Sequence, residues 1–285
     1  MIGHKELIRD FKKLADLGQL AHGYIFFGSR RVGKATFALS LAHYLEAKDF
    51  SWPTEQPVLG DVLHIKPNSH ERTIGIDAVR AIRGFLAHAP NRSALRTVIL
   101  DEAELLTSEA ENALLKIAEE PNPRAMIIVI IDDPERLLPT LRSRLQRIHF
   151  GAVPEKEITT WLTETYDVPK TAAQAAAQAS RGVPGLAWTF IHDTQFIEMR
   201  KSVEDFFRAT GFARSAFLKE LVADESFHFD KFLEVMTFVL ANDEARLRKE
   251  PEFWHQLMEL RRNENYFNLN PRLQLSALAQ YITNS

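Results

Sequence analysis

Apolar and polar positions follow two rhythms along this chain, and the rhythm changes near residue 150. Before that point, short apolar runs stand between stretches of helical period. Leu7, Ile8, Phe11, Leu14 and Ala15 recur at helix-face spacing, which predicts an amphipathic helix over 5–17. Residues 24–27 form an apolar run that stops at Gly28, the pattern of a buried strand feeding a turn. Residues 34–45 read as a helix, and 46–60, with two prolines, a glycine and no period, as a surface connection. Val62–Ile65 is a second strand. Asp77 is placed to cap a helix over 78–88, with Val79, Ile82 and Leu86 on one face. "RTVILDEA", 96–103, is a third strand ending in two acids, and "AMIIVII", 125–131, a fourth. Between them Ser108 and Glu111 have capping-box spacing ahead of a helix that Pro121 stops. Strands alternating with helices predict an α/β domain with a parallel sheet covered on both faces.

From residue 154 on, apolar residues recur only at helical period. The alanine-rich "TAAQAAAQAS" at 171–180 favours helix, and "RGVPG" at 181–185 interrupts it. Further helical stretches rich in phenylalanine and leucine fill 195–285. The expected organisation is an α/β domain over 1–150, a small helical domain over 151–194 and an all-α domain over 195–285.

Composition narrows the function classes. The net charge of −3 provides no overall basic field, so any contact with DNA must be local or shared with partners. The absence of cysteine excludes disulfides, thiolate zinc sites and thiol nucleophiles together. The apolar run at 125–131 is too short to span a bilayer, and "MIGHKELIRD" lacks a signal-peptide core. A cytoplasmic protein without a membrane partner is expected.

The candidate chemistry begins at "FFGSRRVGKA", 26–35. Gly28, Gly33 and Lys34 have the spacing of a phosphate-gripping loop between a strand and a helix. In such a loop, backbone N–H groups and the helix N-terminus surround an oxyanion while the lysine reaches the outer phosphates. Taken alone, the segment also fits a glycine-containing turn with a surface lysine. Ala35 stands where the hydroxyl that holds magnesium belongs. Thr36 does not simply replace it, because one residue along a helix rotates a side chain by about 100°. Asp101 and Glu102 close the third strand, where an aspartate supports magnesium and a glutamate orients water. Without the upstream loop they read as solvated strand-end acids. Arg142, Arg144 and Arg147, crowded into "LLPTLRSRLQR" at 137–147, fit either a solvated basic face or an arginine offered to a transferred phosphate. The ten histidines show no metal-binding spacing, and His22 and His43 read as fillers. Asn112 and Lys116, one turn apart, fit either a contact with DNA or, more simply, a solvated helix face, and the C-terminal cations Arg246, Arg248, Lys249, Arg261 and Arg262 read as exposed helix charge. Phe206, Phe207, Phe229 and Phe232 read as packing residues.

In this order the motifs resemble the AAA+ subunits of sliding-clamp loaders, above all the delta-prime family of bacterial DNA polymerase III. The resemblance rests on "IGH" at 2–4, "AHGYIFFGSRRVGK" at 21–34, "IGIDAVRAI" at 74–82, "TVILDEAELLTSEAENALLKIAEEPNP" at 97–123 and "PERLLPTLRSR" at 134–144. "ASRGVPGLA" at 179–187 and "NLNPRLQLSALA" at 268–279 match less specifically. It implies a P-loop domain, a helical lid and a C-terminal collar that assembles subunits into a ring. It also gives Ser143 and Arg144 a role, with Arg144 acting as an arginine finger in the neighbouring subunit's ATP site. Leu145 replaces the family's cysteine there.

Three departures touch the machinery for the chain's own ATP. These are Ala35, Ile131 where motors carry a polar γ-phosphate sensor, and Gly185 where they carry a lid arginine. The family's four-cysteine insert is missing, so zinc is not expected. The resemblance therefore implies a non-motor subunit with weak or no ATPase of its own. Its ATP site would be formed by Gly28, Gly33, Lys34, Thr36, Asp101 and Glu102, with only weak support for Mg2+. Its implied partners are other clamp-loader subunits in a hetero-oligomeric ring, the sliding clamp and, through the complex, primer-template DNA. Two alternatives stand beside it: a gamma/tau-type ATP-hydrolysing motor, and a nucleotide-free adaptor that keeps the fold for protein contacts.

Overall fold

The computed structural model describes residues 1–51, 58–67, 73–224, 227–263 and 270–282. Part of the connection expected at 46–60, the first two residues of the motif at 268–279 and the Arg262 side chain lie outside the described residues. Contacts divide the chain into two units, Met1–Ala187 and Trp188–Ser285.

The first unit opens with α1 (Lys5–Asp16), β1 (Gly23–Phe27), α2 (Lys34–Ala47), β2 (Val62–Ile65), α3 (Ile76–Leu86) and β3 (Arg96–Leu100). It continues through α4 (Ser108–Glu119), β4 (Ala125–Ile131), α5 (Pro139–Arg142) and β5 (Gln146–His149). The strands make one sheet in the order β2-β3-β4-β1-β5, with every pairing parallel. Alternation along the strands accounts for both cores. Ile25, Val98, Leu100, Ile127 and Val129 face a layer built on α3 and α4, through Val79, Ile82 and Leu114. Their neighbours Tyr24, Phe26, Ile99, Met126, Ile128 and Ile130 face α1 and α2, through Phe11, Phe37 and Leu41. Strands buried on both faces read as unbroken apolar runs for this reason. Two helices follow, α6 (Glu155–Tyr166) and α7 (Lys170–Ala179). The unit ends within α8 (Pro184–His192).

Three local readings are corrected. The cap of α3 is Gly75, without a side-chain bond, and Asp77 lies inside the first turn, paired with Arg80 at 2.7 Å. The cap of α4 is Thr107, whose hydroxyl accepts from the Ala110 N–H; Ser108 is the first helical residue. Glu111 is then one place off capping-box register and instead accepts from the Leu138 N–H. A fifth strand, β5, follows the short helix α5 of the arginine-rich segment, where the apolar pattern predicts none. Its sequence, Gln-Arg-Ile-His, has no apolar run because it forms the sheet edge beside β1.

A buried aspartate organises the opposite edge. Asp61 is fully buried, and its carboxylate accepts from the backbone N–H groups of Asn91, Arg92 and Ser93 at 2.5–2.9 Å, with Arg96 nearby. Burial alone would raise this carboxyl, but the three N–H donors and the Arg96 charge outweigh it and hold it below the ordinary range. Asp61→Ala is expected to cost about 3 kcal/mol at pH 7, because charge-assisted bonds are lost and donors are left buried. With the folded value depressed, this stabilisation is complete above the unfolded pKa of about 3.9 and fades as pH falls through the folded value. Urea unfolding of both proteins should show the full gap at pH 7 and a narrowing one below about pH 3.9.

The second unit is helical: α9 (Thr194–Arg208), α10 (Gly211–Ala223), α11 (Phe229–Ala241), α12 (Glu244–Lys249), α13 (Pro251–Asn263) and α14 (Pro271–Leu278). Phe206 and Phe232 are fully buried, Phe207 nearly so, and Phe229 half-buried. Arg214 is buried beside them, its guanidinium donating to the Phe206 and Ala279 carbonyls at 3.2 Å. No helix among the described residues is long and apolar enough to cross a membrane.

Candidate functional site

The site lies at the C-terminal ends of the parallel strands, beside β1, where connections depart in both directions across the sheet. The chain leaves β1 through Gly28 at φ 134°, a backbone reserved for glycine. A Cβ there would stand 2.4 Å from the Phe150 carbonyl oxygen, so the turn also requires the missing side chain. Arg31 (φ 62°) and Gly33 (φ 116°) complete the left-handed steps that bring the loop to the N-terminus of α2. The backbone thus has the form of a phosphate cradle.

Beside it is a cleft of about 440 Å³ whose charged lining comprises three cations, Arg30, Arg31 and Lys34, and four carboxylates, Asp101, Glu102, Glu104 and Asp132. Lys34 is buried at 5% exposure. Its ammonium donates to the carbonyls of Gly28 and Ser29 (3.1 Å to the latter) and to Asp132 Oδ1 at 2.7 Å. Glu102, itself left-handed at φ 53°, accepts from Arg30 at 3.0 Å. Asp101 lies 3.8 Å from His64 Nε2. Burial would raise the Asp101 carboxyl, but His64, the Glu102 N–H and Lys66 together hold it below its ordinary value. Glu104 moves the other way, pushed up by burial and by the charges of Asp132 and Glu102. Its buried Oε2 has no hydrogen-bond partner among the described residues.

Ala35 and the exposed Thr36 both line this cleft, as does Gly185. Gly185 is held close: its N–H donates to the Arg31 carbonyl at 3.1 Å, and a Cβ there would meet Arg31 at 2.8–2.9 Å. A glycine at 185 is thus a packing requirement of the start of α8 against the loop.

The downstream arginines divide. Arg142 is largely buried and pairs with Glu135, which also lies 3.7 Å from Arg147. Arg144 is 36% exposed; it donates to Glu119 at 3.0 Å and to the Thr140 carbonyl at 2.7 Å. It is not among the residues lining the cleft.

A family model described as "DNA polymerase III, delta subunit" matches residues 3–154. The chain belongs to this family. It is 36% identical over 127 residues to the delta' subunit of Escherichia coli DNA polymerase III, covering 45% of this chain and 38% of that one. It is 31% identical over 169 residues to the gamma/tau subunit of Mycobacterium tuberculosis, covering 55% of this chain and 29% of that one. The matches thus span about a third of those relatives' lengths. In fold the chain is similar to a gamma subunit-related protein of Thermotoga maritima, with a TM-score of 0.59 at 21% identity over 95% of this chain and 97% of that one. A RuvB variant of the same organism follows at TM-score 0.51 and 16% identity, covering 85% and 79%. The delta-subunit family chain is therefore an AAA+-like α/β unit followed by a helical one.

The residues expected at the ATP site, Gly28, Gly33, Lys34, Thr36, Asp101 and Glu102, do converge: Gly28 forms the turn and the other five line the cleft. The backbone fits phosphates. The side chains fit a nucleotide with magnesium poorly, because Lys34 is engaged by Asp132, Asp101 lies near His64 and a methyl stands at position 35. No group of three or more His, Asp or Glu among the described residues could hold a metal ion. Asp132, Arg30, His64 and Glu104 were not found from sequence. Ile131, read as the strand-end sensor position, is buried at 1% exposure, and the polar group that faces the loop is its neighbour Asp132. The aspartate directly after the apolar run was the available signal.

Proposed function

We propose that the chain is a non-motor subunit of a DNA polymerase III clamp loader, which helps load a sliding clamp onto primed DNA and supplies Arg144 to a neighbouring subunit's ATP. In this reading 1–150 is the nucleotide-binding-type domain, 151–194 the lid and 195–285 the collar that joins a hetero-oligomeric ring. One contrast carries it. The lysine of the chain's own cradle is committed to Asp132, whereas Arg144 is partly exposed, tethered by Glu119 and away from the cleft. Family membership and identity to delta' and gamma/tau subunits support the assignment to this complex. Ala35 and the tight seat of Gly185 argue against a gamma/tau-type motor, which needs a metal-binding hydroxyl and a lid arginine. The Lys34–Asp132 pair gives a second reading some weight, an adaptor that binds no nucleotide at all.

The test is steady-state ATP hydrolysis by the purified chain, alone and mixed with the other loader subunits. Alone, it is expected to turn over ATP no faster than buffer. Mixed, it is expected to co-elute with them in one complex that hydrolyses ATP. Motor-rate turnover by the isolated chain, or failure to join the complex, overturns the proposal.

A further inference from the structure

We propose that Asp132 acts as the resident anion of the phosphate cradle, occupying Lys34 and keeping the loop closed to nucleoside triphosphates. The proposal rests on the reading of 28–34 as a phosphate cradle and names the residue that governs it.

Three observations converge on Asp132. The Lys34 ammonium has three donors, and three acceptors take them: the Gly28 and Ser29 carbonyls and Asp132 Oδ1. An incoming phosphate oxygen finds no donor there unless one of these contacts breaks. The two carbonyls belong to the loop itself, so Asp132 is the partner that can be displaced. Lys34 is also buried, and a buried cation is tolerated when paired and costly when alone. Asp132 thereby stabilises the loop, the work a phosphate does in a filled cradle. Finally, the cleft carries four carboxylates against three cations, and Glu102 already occupies Arg30. A triphosphate entering beside Asp132 meets like charge at short range, with no hydroxyl at position 35 to help seat a metal that would offset it. Asp132 follows directly on β4, and its own carbonyl accepts from the Gly28 N–H at 3.3 Å. The carboxylate is therefore placed by the sheet itself.

The experiment measures ATP binding to the full chain by calorimetry, with and without magnesium, for wild type, Asp132→Asn, Asp132→Ala and Asp132→Ala combined with Lys34→Ala. The wild type is expected to bind weakly. Both single variants are expected to bind at least about tenfold more tightly, and the double variant to lose the gain, which identifies Lys34 as the group released. A thermal melt accompanies each: without ligand the single variants melt below wild type, and ATP raises their Tm more than it raises that of the wild type. Folded single variants that bind no better than wild type overturn the proposal. So does micromolar ATP binding by the wild-type chain, a result that needs no variant. Loss of the gate leaves an Arg144 effect in the assembled ring untouched, and absence of that effect leaves the Asp132 gain untouched, so the two failures are distinguishable.

Discussion

Arg144→Ala is expected to slow ATP hydrolysis at the neighbouring subunit's site by about 10³-fold or more, the usual value of an arginine offered to a transferred phosphate. The effect belongs to one site, so it is read in a reconstituted ring whose other motor sites are silenced by substitution of their loop lysines. The guanidinium rests against Glu119, the last residue of α4, at 3.0 Å and the Thr140 carbonyl in α5 at 2.7 Å. These contacts restrict its rotamers, so little further order is lost when it meets a phosphate. Lysine at 144 should restore little, because the planar fork cannot be reproduced by a point charge. Arg147→Ala, next in the same basic segment but paired toward Glu135, is the control and should leave the rate unchanged. Equal rates for the wild-type and Arg144→Ala rings would remove the trans role.

The second large effect concerns stability. Gly28→Ala is expected to cost about 4 kcal/mol, a large fraction of a typical domain's 5–15 kcal/mol. Two penalties add. At φ 134° an L side chain is strained, and its Cβ would lie 2.4 Å from the Phe150 carbonyl oxygen. Phe150 has little room to yield. Its N–H donates to Phe27 at 2.8 Å, and its ring, 1% exposed, lies 5.0–5.2 Å from Phe26 and Phe37. Gly18→Ala makes the comparison, with φ 64° but nothing within 4 Å of the added carbon, and should cost only about 1–2 kcal/mol. Chemical denaturation of both variants against wild type separates them, and similar midpoints would show that the approach of Phe150 is not tight.

Much of the first unit could be read from sequence because its determinants are local. Residues 125–131 are apolar throughout since both faces of β4 are covered, and Gly28, Gly33 and Lys34 announce the loop by spacing. What failed to show were features whose cause lies far away in the chain. The edge strand β5 has an ordinary polar sequence and is a strand only because β1 offers it hydrogen bonds. Glu111 does not reach back to the start of α4 but accepts from the Leu138 N–H, 27 residues on.

The order of the first four strands and their helices, the phosphate-loop backbone and the family were within reach of the sequence, since each rests on short-range periodicity or on residues at fixed spacing. Only the tertiary structure decided that Lys34 meets Asp132, 98 positions away, that Glu102 meets Arg30, and that Gly185 closes on Arg31. A parallel sheet gathers the ends of distant strands and the loops that leave them at one edge, and there the buried Lys34 finds its opposite charge.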